Sequence, residues 1–353
     1  MNIIKENVLK LSSYTVDQDL SLVKLNQNEA PYDVPLEFKK EVWAKLKRRG
    51  WHRYPPDGRG RLQGQIAAYT GFPSSGILMG NGSNELIQAL FLAVCEPDDL
   101  VLMVKPGYAV SYRAAKLLSA RLIEIPLRAD FNFDVPAIME RAGEARLTIL
   151  ASPNNPTGTC LRLNEIACIA ERAGGLLVVD EAYYEFSGRT AQPLVAGREN
   201  VVILRTFSKA WRLAGARLGY LLGPREFVRE VAKVRLPFSV SVFAQAAAEV
   251  MLEHREQMAG LARTIIRERK RVFKELANIP GITPVPSSAN FILFGIRGHS
   301  APAFFKELRD KGVLVRLFDN PLLEKHLRVT IGAPQENDAF LAAVRKIMGG
   351  PVP

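Results

Sequence analysis

Short uninterrupted apolar runs recur along the chain from about residue 77. They are Ile77-Leu-Met, Leu100-Val-Leu-Met-Val104, Leu147-Thr-Ile-Leu-Ala151, Leu176-Leu-Val-Val-Asp180, Val201-Val-Ile-Leu-Arg205 and Leu218-Gly-Tyr-Leu-Leu222. Runs that are apolar at successive positions predict strands buried on both faces. Between several of them, apolar residues recur at helical spacing over 84–95, 109–119 and 164–174. Strands alternating with helices predict an α/β fold, with a mostly parallel central sheet flanked by helices. Ligands of such sheets sit beyond the carboxyl ends of the strands. The residues just after each run are therefore the candidates for chemistry.

Beyond Pro237 the pattern changes. A long helical stretch covers 243–278, followed by a strand near 290–294, a helix over 302–312, strands at 313–316 and 327–331, and a last helix from about 336. This predicts a smaller α+β domain. The expected division is 45–245 for the large domain and 1–44 with 246–353 for the small one. The junction falls in or near the long helix, because no Gly/Ser linker marks it.

Composition narrows the class. With 353 residues, 48% hydrophobic and 24% charged, the chain reads as ordinary globular protein of about two domains. The longest apolar stretch, from Ala89 to Cys95, is far short of the ~20 residues that span a bilayer. No membrane association is expected. Residues 1–30 lack a signal-peptide succession, which gives a cytoplasmic expectation. Cys95, Cys160 and Cys168 have no CxxC spacing and read as packing residues of a reducing compartment. His52, His254, His299 and His326 form no local metal motif, so no metal is expected. The net charge of +11 raises the question of nucleic acid. Its basic residues are dispersed, and the densest run, Lys45-Leu-Lys-Arg-Arg49, reads as the solvated end of a helix. A surface that attracts small anions is the favoured reading, with no nucleic-acid partner.

Four strand-end features carry chemistry when taken together. Ser152-Pro-Asn-Asn-Pro-Thr-Gly158 places an amide at the sheet edge, and strand 176–180 ends in Asp180, followed by Glu181-Ala-Tyr183. Strand 201–205 leads into Thr206-Phe-Ser-Lys209 and on to Arg217. Met79-Gly-Asn-Gly-Ser-Asn-Glu85 opens a helix, whose first amides make an anion seat. Each alone has a bland reading as turn, cap or surface charge. A phosphate seat, Asn, Asp with Tyr, and Lys in one sheet edge is the set that pyridoxal phosphate requires. Lys209 would bond the cofactor aldehyde and carry the substrate proton. Asp180 would keep the ring nitrogen protonated, while Asn155 and Tyr183 would bond the ring oxygen. Thr206, Ser208, Arg217 and the Gly82, Ser83 and Asn84 amides would take the phosphate, and Tyr108 would stack on the ring. A nicotinamide reading fails, because Gly80-Asn-Gly82 is not GxGxxG.

Three strings then resemble a known family over essentially the whole chain. Asn154-Asn-Pro-Thr-Gly158, Asp180-Glu-Ala-Tyr183 and Ser208-Lys-Ala-Trp-Arg-Leu-Ala-Gly-Ala-Arg217-Leu-Gly219 are similar to those of fold-type I pyridoxal phosphate aminotransferases. Leu25-Asn-Gln-Asn-Glu29, Arg53-Tyr-Pro55, Ser288-Ala-Asn-Phe291, Val315-Arg316 and Leu327-Arg-Val-Thr-Ile-Gly332 resemble the histidinol-phosphate branch. The resemblance implies an aminotransferase acting on L-histidinol phosphate and 2-oxoglutarate. It further implies a homodimer in which Tyr54 reaches the cofactor phosphate across the interface, and a substrate site of Tyr14, Asn28, Arg316 and Arg328. The alternatives it leaves open are an aromatic amino acid aminotransferase and a threonine-phosphate decarboxylase.

Overall fold

The computed structural model describes residues 3–13, 17–56 and 60–349. After a two-residue strand β1 (Val23–Lys24), seven strands build one sheet: β2 (Ile77–Gly80), β3 (Leu100–Lys105), β4 (Arg121–Pro126), β5 (Leu147–Ala151), β6 (Leu176–Asp180), β7 (Val201–Thr206) and β8 (Gly219–Leu222). Their order is β2-β8-β7-β6-β5-β3-β4. β8 alone runs antiparallel to its neighbours β7 and β2, and the other pairs are parallel. The expected α/β fold with a mostly parallel sheet flanked by helices is the one observed.

The continuous apolar runs have a direct cause. Leu177 and Val179 enter the core on one face of the sheet, while Leu176 and Val178 enter the core on the other. Helices Arg61–Thr70, Val135–Ala142 and Leu163–Arg172 cover the first face; Ser83–Val94, Ala109–Leu117 and Arg225–Val234 cover the second. A strand covered on both sides has no polar face to show. β4 escapes the run-based reading because it is an edge strand. Only Ile123 and Ile125 are buried, and Arg121, Glu124 and Pro126 are exposed.

β9 (Ile282–Pro284), β10 (Phe291–Ile296) and β12 (His326–Thr330) form a three-stranded antiparallel sheet, ordered β12-β10-β9. β11 (Val313–Leu314) pairs in parallel with β1. Leu25 joins the same core as Phe291, Phe304 and Phe340, so an N-terminal segment belongs to the unit built by the end of the chain. The single helix expected over 243–278 is two, Val242–Glu253 and Arg255–Ala277, divided at His254. The His254 ring stacks on Phe38 at 4.0 Å, and its Nε2 meets Glu41 at 2.9 Å. Through Met258 this pair packs on the large sheet; from Ala262 onward it packs on the small one. No helix among the described residues is long and apolar enough to cross a membrane.

Candidate active site

Parallel pairing puts the ends of β3, β5, β6 and β7 at one edge of the sheet. The reversed β8 brings its first residue, Gly219, to that edge, opposite Thr206 and Gly80. Five separate sequence segments thus deliver Tyr108, Asn155, Asp180, Lys209 and Gly82 to the same place.

Lys209 is the centre of the group. Its Nζ donates to the Gln27 carbonyl at 3.1 Å. Burial, and after it the Arg328 guanidinium, pull the amine down to about 8. Lys24 and Glu29, paired with each other, act on it with opposite signs. Asp180 is 4% exposed, and its Oδ1 accepts from the Ala182 amide at 3.1 Å. Burial pushes this carboxyl up to about 7 against the opposing effects of that amide and of Lys209. Asp180 lines a small cavity with Gly107, Tyr108 and Asn154.

Tyr183 is held by two amides: its hydroxyl accepts from Asn28 Nδ2 at 2.9 Å and from Asn155 Nδ2 at 3.2 Å. Asn155 Oδ1 in turn accepts from Arg328 Nη1 at 2.6 Å, and Arg328 Nη2 donates to the Asn26 carbonyl at 2.8 Å. Asn28 sits at φ 55, a left-handed conformation that asparagine tolerates. Its amide is buried between Tyr183 and Thr330, so here it positions Tyr183. Arg316 and Arg328 exchange both backbone hydrogen bonds, at 2.9 and 3.0 Å, across an antiparallel bridge. Directly opposed residues project their side chains from one face. Two arginines that are twelve positions apart in sequence are therefore neighbours.

The residues expected to take a phosphate gather at the opposite end. Ser208 Oγ accepts from Thr206 Oγ1 at 3.0 Å and from Arg217 Nη1 at 3.2 Å. Gly82, at φ 76, precedes helix Ser83–Val94, and a Cβ built on it would lie 2.5 Å from Arg217 Nη2. A Cβ on Gly219 would lie 2.4 Å from the Ser83 amide nitrogen. Only glycine allows the guanidinium and the helix amides to approach this closely. Tyr108 donates from its hydroxyl to Asn84 Oδ1 at 3.1 Å, which ties the stacking candidate to the seat.

Two expected residues stand apart. Tyr54 is 81% exposed and stacks on Phe238 at 4.7 Å, and among the described residues no contact carries it to Lys209. Tyr14 lies outside the described residues. Sequence reasoning missed the Gln27 carbonyl, Asn26, and a buried ion pair beneath the site, Arg205 with Glu181 at 2.9 Å. The pair did leave a signal, since an arginine closing a fully buried strand demands a carboxylate.

The low amine affinity of Lys209 has a measurable result. An acylating reagent in excess should label Lys209 with a pH midpoint near 8, the rate rising with pH as the neutral amine forms. An ordinary lysine would titrate about two units higher. Peptide mapping of the labelled chain reads the midpoint, and a value near 10 would contradict the burial argument.

Known proteins share this sequence family and fold. The model of the class I and II aminotransferases matches residues 21–344. The histidinol-phosphate aminotransferase of Chlorobium phaeovibrioides is 37% identical over 355 aligned positions, which cover 99% of this chain and 98% of that protein. One of the same name from Thermococcus gammatolerans is 37% identical over 347 positions, 98% of each chain. The crystal structure of the Sinorhizobium meliloti histidinol-phosphate aminotransferase, in complex with pyridoxal-5'-phosphate, superposes with a TM-score of 0.90 at 25% identity, covering 99% of this chain and 98% of that one. The fold extends to the L-threonine-O-3-phosphate decarboxylase of Porphyromonas gingivalis, with a TM-score of 0.81 at 23% identity over 93% of this chain and 100% of that one. A family model over residues 21–344 and full-length kinship at this level make the chain, with its lysine and buried aspartate on one sheet edge, a member of the class I and II aminotransferases, pyridoxal phosphate enzymes, within the histidinol-phosphate aminotransferase family.

Proposed function

We propose that the chain exchanges an amino group between L-histidinol phosphate and 2-oxoglutarate. The observation that supports the donor is the Arg316–Arg328 bridge, which sets two arginines side by side, one of which, Arg328, bonds Asn155 and acts on Lys209. A phosphoryl group there gains charge-assisted bonds of about 1.5–3 kcal/mol each. An uncharged side chain forgoes them.

The residues present suit pyridoxal phosphate. The Gly82 and Gly219 cradle beside Arg217 and Ser208 has the charge and open backbone amides for its phosphate. Asp180, buried and pushed up to about 7, suits a cationic ring nitrogen, which would return the carboxyl to its charged form. Asn155 and Tyr183 would bond the ring oxygen, and Lys209 the aldehyde. When bound, the cofactor supplies an electron sink for the bond broken at the substrate α-carbon.

The chain's own groups do the rest. Lys209, drawn down to about 8, is neutral near physiological pH far more often than an ordinary lysine, and its Nζ takes the α-proton and returns it. Tyr183 is fixed from two sides, which keeps its hydroxyl aimed while charge moves nearby. Arg328 bonds Asn155 as well as facing the substrate, so anion binding and ring-oxygen binding share one side chain.

The catalytic unit is proposed as a cytoplasmic homodimer with Tyr54 acting across the interface. Support comes from an exposed aromatic group: Tyr54 on Phe238, and Trp51 against both Trp43 and Phe243. The proposed large domain of 45–245 has packing edges at Phe38 and Met258.

A donor screen with 2-oxoglutarate tests the reading. Histidinol phosphate is expected to give the highest kcat/KM, with phenylalanine lower by about tenfold or more, the value of one lost charge-assisted bond. A preference for phenylalanine would overturn it. So would carbon dioxide release from threonine phosphate without a keto acid.

A further inference from the structure

Arg316 and Arg328 carry like charges on neighbouring backbone positions. Such a pair repels unless something holds it, and a carboxylate would hold it at the cost of neutralising the site. Arg328 donates to two neutral acceptors, the Asn155 amide and the Asn26 carbonyl. Aromatic rings face them as well: Phe291 lies 5.1 Å from the Arg328 guanidinium carbon, and Phe318 faces both arginines. The Phe318 ring centroid lies 6.0 Å from the Arg316 guanidinium carbon and 5.7 Å from that of Arg328. An aromatic face attracts cations through its quadrupole without cancelling their charge.

Phe318 is itself fixed from both halves of the molecule. It packs with Phe131 on a small apolar cluster of Val285, Leu293 and Leu323. Phe131 comes from the loop after β4, on the large sheet. It holds φ 62, a strained conformation for an aromatic residue. Its amide donates to the Arg128 carbonyl at 2.8 Å, and its carbonyl accepts from Thr159 Oγ1 at 2.9 Å. From there Thr159 and Thr157 share a hydrogen bond of 2.8 Å, and Asn154 donates to Thr157 at 2.9 Å, one residue before Asn155. The loop that carries Asn155 is thus tied to Phe131, which packs on the same apolar cluster as Phe318.

We propose that Phe318 is a positioning residue for the two-arginine anion seat: its ring sets the spacing of Arg316 and Arg328 for a phosphoryl group, and the Phe131 cluster holds that ring in register with the Asn155 loop. This rests on the reading of Arg316 and Arg328 as the seat of a phosphorylated donor. Removing the ring face should loosen anion binding and leave proton transfer at Lys209 intact.

Three holoenzyme variants, Phe318→Leu, Phe318→Tyr and Arg316→Leu, test this with histidinol phosphate, with unphosphorylated histidinol, and with inorganic phosphate as competitor. Phe318→Leu keeps apolar bulk and should raise KM for histidinol phosphate about threefold to tenfold. Its inhibition constant for inorganic phosphate should rise by a similar factor, with kcat changed by no more than about twofold and the histidinol constants unmoved. Phe318→Tyr restores the ring face and should restore KM. Equal losses on both donors would reduce Phe318 to a packing residue and overturn the proposal. If Arg316→Leu raises KM and Phe318→Leu does not, Phe318 alone loses its role. If Arg316→Leu leaves KM and phosphate inhibition unchanged, the seat itself is misassigned and the role of Phe318 falls with it.

Discussion

Lys209→Ala is expected to lower kcat by at least about 10³-fold, the scale at which loss of a positioned acid–base group and its covalent role registers. The fold should not suffer. Lys209 is an amine drawn well below its ordinary affinity by burial, and removing such a group relieves desolvation. The melting temperature should therefore be equal to or above that of the parent. Lys24, the nearby lysine that also acts on this site, is engaged with Glu29 and does not stand ready to substitute. Two measurements separate chemistry from binding. Steady-state turnover reports the proton transfer. Borohydride treatment followed by mass spectrometry reports the covalent bond, with the cofactor mass retained on the parent chain and absent from Lys209→Ala. Turnover retained within about tenfold would remove Lys209 from the centre of the mechanism.

The cofactor end of this site was legible in the sequence because its residues sit at strand ends. Asn155, Asp180 and Lys209 each follow an apolar run, and in a parallel sheet all such ends meet, whatever their separation in sequence. The substrate end was legible only through resemblance. Arg316 and Arg328 become neighbours through an isolated antiparallel bridge, and nothing in their local spacing announces that pairing. Asn28 shows a further limit. Composition says that it can hydrogen-bond, whereas its partners, Tyr183 and Thr330, come from segments far along the chain. Its place beneath Tyr183 follows from the parallel pairing of β1 with β11, which carries the N-terminal segment into the site. β4 and the break at His254 were missed for a related reason. Each departs from a simple period, the first because an edge strand alternates, the second because a stacked ring ends one helix where apolar spacing continues.

Arg328→Met is expected to raise KM for the phosphorylated donor about 10²-fold, the upper range for a charge-assisted bond to a doubly charged group. Unlike the loss at Phe318, this one should extend to kcat. Arg328 Nη1 is the donor to Asn155 Oδ1, and that amide is one of two that fix the Tyr183 hydroxyl. With the guanidinium gone, the Asn155 amide is free to turn, and its hold on the Tyr183 hydroxyl weakens while that of Asn28 stays. A second consequence has a definite sign. The Arg328 charge is, after burial, the largest influence that pulls Lys209 down to about 8. Removing a neighbouring positive charge stabilises the ammonium, so the Lys209 labelling midpoint should move upward, and less neutral amine will be present at a given pH below it. Arg328→Lys keeps the charge and gives up the planar fork, so it should leave the Lys209 midpoint nearer to 8 while KM remains high. The pair of variants thereby separates field from geometry. If both depress unphosphorylated and phosphorylated donors alike and neither moves the midpoint, Arg328 serves only to hold Asn155 and the Asn26 carbonyl in place, and the donor phosphate binds elsewhere.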